Sequence, residues 1–120
     1  MTLSWEEACA RVSGPGSPYE IVEDEHGKRR FRHAPPNLRT VFDIARTAGD
    51  DIFLVYEDER WTFDQVFAHI DALADALVNR YGIVKGDRVA IGMRNYPEWV
   101  MSMLAIISIG GVSVSLNALW

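Results

Sequence analysis

An α/β fold is predicted for this chain on two observations. Residues 87–116 run in the order strand, helix, strand, with a connection long enough to be a parallel crossover. Residues 62–81 carry a capped amphipathic helix that could cover the resulting sheet. A third, weaker observation is the apolar run Ile52-Phe53-Leu54-Val55-Tyr56, bounded by acidic turns and of strand length.

The elements follow in order. Leu3, Trp5, Cys9 and Val12 have loose helical spacing, with Ser4 as N-cap and Glu6 and Glu7 in the first turn, where they complement the helix dipole. Ser13-Gly14-Pro15-Gly16-Ser17-Pro18 breaks regular structure and reads as a loop. Tyr19–Glu23 and Arg30–Arg32 flank the turn-rich Asp24-Glu25-His26-Gly27, which predicts a hairpin. A helix is expected from Asn37 to near Gly49, on the spacing of Leu38, Val41, Phe42, Ile44 and Ala45. The strand at 52–56 should pair across Glu57-Asp58-Glu59 with Arg60-Trp61-Thr62.

Thr62 and Gln65 then form a T-x-x-Q capping box, and Val66, Ile70, Leu73, Ala74, Leu77 and Tyr81 define a core-facing stripe. Gly82 stops this helix, and Lys85-Gly86-Asp87 turns into Arg88-Val89-Ala90-Ile91-Gly92-Met93, expected to be a core strand buried on both faces. Asn95-Tyr96-Pro97-Glu98 starts a helix expected to run to about Ile109. Gly110-Gly111 ends it, and Val112–Leu116 alternates as the next strand.

Composition narrows the function classes. With 120 residues, 48% of them hydrophobic and 24% charged, the chain suits one small packed domain. A net charge of -5 disfavours nucleic-acid binding, and the basic cluster Lys28, Arg29, Arg30 and Arg32 is offset by Glu20, Glu23, Asp24 and Glu25. Cys9 is the only cysteine, so neither an internal disulfide nor a multi-cysteine zinc site can form, and a reducing cytoplasm fits. The N-terminus lacks the charged and apolar regions of a secretory signal, and Met1 is expected to be the true start.

Taken together, W-T-F-D-Q-V at 61–66, K-G-D-R-V-A-I at 85–91, N-Y-P-E-W-V at 95–100 and G-G-V-S-V-S-L-N at 110–117 form a series that resembles the AMP-forming acyl-CoA synthetases of the adenylate-forming superfamily. The resemblance implies an incomplete N-terminal part of the large domain of such an enzyme. Residues 1–36 would be an N-terminal extension and 37–120 a truncated N-terminal α/β subdomain.

An intact member of this family joins a carboxylic acid to ATP with magnesium, releases pyrophosphate and passes the acyl group to coenzyme A. Its Ser/Thr/Gly-rich loop ending in Pro-Lys, aromatic-Gly-x-Thr-Glu segment, ribose-binding Asp and late lysine have no counterpart here. No catalytic, cofactor-binding or metal-binding residue is therefore assigned, and the chain by itself is expected to be inactive. The substrate is expected to be a fatty acid. The partner is expected to be the remainder of the enzyme, a complementary chain carrying the active site, or a second copy.

Other features have ordinary explanations. Gly110 and Gly111 lack the neighbours of a phosphate cradle and are expected to terminate a helix and allow close packing. His26, His33 and His69 are too dispersed to be ligands, and the acidic residues at 50–51 and 57–59 lack calcium-loop spacing. Ser113 and Ser115 lack a G-x-S-x-G elbow and should share one strand face, while the four tryptophans are expected to be structural. The uncharged 18-residue run Trp99–Leu116 reaches the lower limit of a membrane span, but its Gly-Gly break and strand-like end argue against an integral segment.

Overall fold

The computed structural model describes residues 3–117, which form two compact units divided between Pro36 and Asn37. In the first, α1 (Trp5–Ser13) starts at Ser4, whose Oγ accepts from the Glu7 N–H at 3.2 Å, while Glu7 Oε2 accepts from the Ser4 N–H at 2.8 Å. These hydrogen bonds hold the Glu7 carboxyl below its usual range. Strands β1 (Ile21–Glu23) and β2 (Arg29–Phe31) then form the expected antiparallel hairpin. Asp24 Oδ1 closes its turn by accepting from the N–H groups of His26 and Lys28, each at 2.9 Å. The basic cluster is partly answered locally, since Arg32 Nε lies 2.8 Å from Glu20 Oε1.

The second unit opens with α2 (Leu38–Ala45), capped by Asn37 Oδ1, which accepts from the Thr40 N–H at 3.0 Å. A 3-10 turn, Arg46–Ala48, leads into β3 (Ile52–Tyr56), which pairs antiparallel with β4 (Glu59–Thr62). The two-residue link places Glu57 at φ 49, in the left-handed region that costs a side-chain-bearing residue about 1–2 kcal/mol. Glu57→Gly should accordingly stabilise the chain by about 0.5–1 kcal/mol, read as a higher urea midpoint at unchanged m-value. An unchanged or lower midpoint would show that the Glu57 side chain stabilises the turn by another route.

Helix α3 (Phe63–Asn79) begins with the expected capping box: Thr62 Oγ1 accepts from the Gln65 N–H at 3.2 Å and Gln65 Oε1 from the Thr62 N–H at 3.0 Å. Val66, Ile70 and Leu77 are buried as the spacing requires, and Leu73 and Ala74 pack at the core margin. Two residues depart from the predicted stripe. Tyr81 lies beyond the last helical turn and is exposed, because the chain leaves the helix axis before Gly82. Phe67, one position after Val66, is buried instead, covered by Phe53 stacked parallel to it at 6.4 Å and by the Arg46 guanidinium 4.3 Å above its ring. Arg46 also makes a two-pronged hydrogen-bonded ion pair with Asp71, tying the end of α2 to α3.

Strand β5 (Arg88–Ile91), helix α4 (Pro97–Ser108) and strand β6 (Val112–Ser115) form the predicted strand-helix-strand unit, with β5 and β6 parallel and Val89 opposite Ser113. The core lies between α3, α4 and this pair: Ile91, Met101, Leu104, Ala105 and Ile106 join the buried residues of α3.

The expectation that the 88–93 strand is buried on both faces fails. The strand ends at Ile91; Ile91 is buried and Val89 half-buried, but Arg88 and Ala90 are exposed. Register places Arg88 and Ala90 beside Val112 and Val114 on the face opposite Val89 and Ile91, and no second layer covers that face among the described residues. The apolar run Trp99–Leu116 is likewise divided, with α4 ending at Ser108 and β6 beginning at Val112. No helix among the described residues is long and apolar enough to cross a membrane.

Candidate functional site

Gly110 and Gly111 are the first place to look for a phosphate cradle, and the geometry does not suit one. They follow the C-terminal end of α4, the negative end of the helix dipole, whereas phosphates favour helix N-termini. A Cβ on Gly111 would sit 2.9 Å from Ile106 Cγ2 and 3.1 Å from the Ile106 carbonyl oxygen. At Gly110, where φ is 80, the nearest atom would be Lys85 Cγ at 3.0 Å. Lys85 thus lies beside Gly110, a neighbour that their separation in sequence concealed, but it is the aliphatic stem that packs there. These glycines let α4 return closely onto β6.

The opposite end of the parallel pair is where α/β sheets ordinarily bind ligands, just beyond the carboxyl ends of the strands. Here Met93, Arg94, Asn95, Trp99, Ser115, Leu116 and Asn117 line an open cleft of about 490 Å³. The loop after β5 supplies Arg94 and Asn95, α4 supplies Trp99, and the end of β6 supplies Ser115. Asn95 opens the predicted helix-start segment, but the helix cap is Tyr96, with Pro97 in the first turn. Arg94 was not singled out, although a cation just past a strand end was visible in the sequence. The cleft offers hydrogen-bonding and positive groups, but its described lining residues include no nucleophile paired with a base.

The remaining candidates do not converge. His69 is exposed on α3, its Nδ1 2.9 Å from the Gln65 carbonyl oxygen and its ring edge-on to Trp61; His26 and His33 are exposed in the first unit. Among the described residues there is no group of three or more His, Cys, Asp or Glu side chains placed to hold a metal. Ser113 and Ser115 share the β6 face that carries Val89 and Ile91 on β5. Trp61 and Trp99 pack against the core, Trp5 is exposed, and Trp120 lies outside the described residues.

The model of the family described as AMP-binding enzyme matches residues 41–120, two thirds of the chain and every element from late α2 onward. The chain belongs to the AMP-binding enzyme family.

As an AMP-binding family member it is 37% identical over 82 residues to the medium/long-chain-fatty-acid–CoA ligase FadD6 of Mycobacterium tuberculosis, covering 68% of this chain and 14% of FadD6. It is 32% identical over 88 residues to the crotonobetaine/carnitine–CoA ligase of Salmonella paratyphi A, covering 68% of this chain and 17% of that one. Among solved structures, the N-terminal subdomain of Klebsiella oxytoca NpsA in complex with 3-hydroxyanthranilyl-AMSN superposes with a TM-score of 0.65 at 29% identity, over 70% of this chain and 22% of the subdomain. The O-succinylbenzoate coenzyme A synthetase MenE of Bacillus subtilis, in complex with AMP, gives 0.60 at 32% identity, over 70% of this chain and 21% of MenE. The chain therefore spans about a fifth or less of the relatives it matches.

The family's chemistry implies a nucleotide and a magnesium ion. The geometry at Gly110 and Gly111 rejects a phosphate cradle, and the scattered carboxylates and histidines do not make a magnesium site.

Proposed function

We propose that this AMP-binding family chain serves as the opening scaffold of an acyl-CoA ligase-like enzyme and does not activate carboxylic acids by itself. The supporting observation is that the motif series from Trp61 to Asn117 folds into β4, α3, β5, α4 and β6, whose side chains build a core rather than a reaction centre. In the whole enzyme, ATP, magnesium and coenzyme A would be held by residues other than those described here. Medium- or long-chain fatty acids are the proposed acyl donors, on the similarity to FadD6, and the proposed setting is cytoplasmic.

ATP–pyrophosphate exchange with the purified chain and octanoate or palmitate should give no signal above a protein-free control. Exchange proportional to chain concentration would overturn the inactive-scaffold reading. A chimera in which residues 37–117 replace the matching part of FadD6 should retain exchange; a folded, soluble but inactive chimera would count against the scaffold role.

The same reading gives the chain a need for company. The outer face of β5 and β6 shows Ala90 and Val112 to solvent, and a sheet of two strands leaves backbone donors and acceptors unpaired at its edges. Sedimentation velocity should show the isolated chain self-associating as its concentration rises. A monodisperse monomer with strong amide protection from Val89 to Leu116 would contradict this.

A further inference from the structure

A second cleft, away from Gly110 and Gly111, is walled by aromatic rings. Tyr56, at the end of β3, and Tyr96, the cap of α4, meet edge to face with ring centroids 5.6 Å apart and planes at 81°. With Glu59, Met93, Pro97 and Glu98 they line a space of about 440 Å³. We propose that this cleft is a binding site for a guanidinium cation.

Three features fit that chemistry. Two tyrosine rings line the same space, and a flat, weakly hydrated guanidinium stacks on aromatic rings better than an ammonium does. The two lining carboxylates, Glu59 and Glu98, take part in no salt bridge among the described residues, and the lining includes no cation. The Trp61 Nε1–H donates to Glu59 Oε2 at 2.8 Å and so holds that carboxylate in place before any ligand arrives.

The nearby Arg60 does not occupy the role, because its guanidinium donates to the carbonyl oxygens of Glu57 and Glu59 at 2.9 Å. The half-buried Tyr56 phenol has its pKa raised chiefly by withdrawal from water, with smaller contributions from Glu57, Tyr96, Glu59 and Glu98. Met93 and Pro97 give the cleft an apolar floor for the alkyl stem that carries a guanidinium.

The test uses the full chain labelled with 3-fluorotyrosine, at a concentration where sedimentation shows monomer. Its four tyrosines comprise two in the cleft and two controls, Tyr19 and Tyr81. Titration with N-acetyl-arginine methylamide should move the Tyr56 and Tyr96 fluorine signals in a saturating curve in the millimolar range, leaving Tyr19 and Tyr81 in place. The neutral isostere N-acetyl-citrulline methylamide should produce no saturating shift. Glu98→Gln and Glu59→Gln, each confirmed folded by circular dichroism, should weaken arginine binding at least fivefold.

Equal shifts from citrulline, movement of all four signals together, or indifference to both substitutions would overturn the proposal. Agmatine and the peptide Gly-Gly-Arg-Gly-Gly separate the two sources of a guanidinium. Tighter binding of agmatine assigns the cleft to a small-molecule cation, and tighter binding of the peptide to an arginine side chain of another polypeptide segment.

Discussion

Ile70→Ala should destabilise the chain by about 2–5 kcal/mol, measured as a fall in the urea midpoint followed by circular dichroism. Ile70 is fully buried at the middle of α3, in the core shared by α3 and α4. It also borders an open pocket of about 190 Å³ lined by Phe42, Arg46, Phe67, Asp71 and Ala74, so deleting three carbons would leave a void beside a space the core already fails to fill. Small domains hold only about 5–15 kcal/mol in total, and this loss would place the chain near its unfolding threshold at room temperature. Ile70→Val should cost about 0.5–1.5 kcal/mol. A loss below about 1 kcal/mol for the alanine variant would mean that the α3–α4 interface is looser than its burial indicates.

Gly111→Ala should cost about 1–3 kcal/mol although it adds a single methyl group. That methyl would lie 2.9 Å from Ile106 Cγ2 and 3.1 Å from the Ile106 carbonyl oxygen, which already accepts the Gly111 N–H at 2.9 Å. Ile106 is buried and cannot retreat without disturbing the core, so the chain between α4 and β6 must move instead. The shift would strain the next link, the Val112 N–H to the Asp87 carbonyl at 2.7 Å, which starts the parallel pairing. Gly92→Ala is the control: its nearest neighbour would be Leu116 Cδ1 at 4.0 Å, an ordinary contact, and stability should be nearly unchanged. Equal effects at the two positions would refute the close-packing role of Gly111.

Caps and turns were legible in the sequence because their hydrogen bonds join residues two to four positions apart. Ser4 with Glu7, Asn37 with Thr40, and Thr62 with Gln65 each make such a contact; the Ser4 cap and the Thr62–Gln65 capping box were read from side-chain chemistry and spacing, while Asn37 was read only as the helix start. The parallel pairing of β5 and β6 was also accessible, since a helix between two apolar runs constrains how they can meet. Family membership came from the order of motifs between Trp61 and Asn117, and the match over 41–120 established it.

The clefts were not legible, because their walls come from distant segments. Tyr56 and Tyr96 belong to different elements and meet only when β3 lies near the start of α4. Arg46 pairs with Asp71 across 25 positions, and nothing in the local pattern of either residue announces the other.

By itself, then, the sequence determined the element types, the caps at Ser4 and Thr62 and the strand-helix-strand order, which rest on local periodicity or short-range hydrogen bonds, and the order of its motifs carried the family resemblance. Tertiary structure alone decided which side of each element meets another. It buried Phe67 and exposed Tyr81, left Arg88 and Ala90 on an uncovered face, and set Tyr56 beside Tyr96. The physical reason is that burial depends on the layers present around an element, whereas periodicity records only that an element has an apolar side.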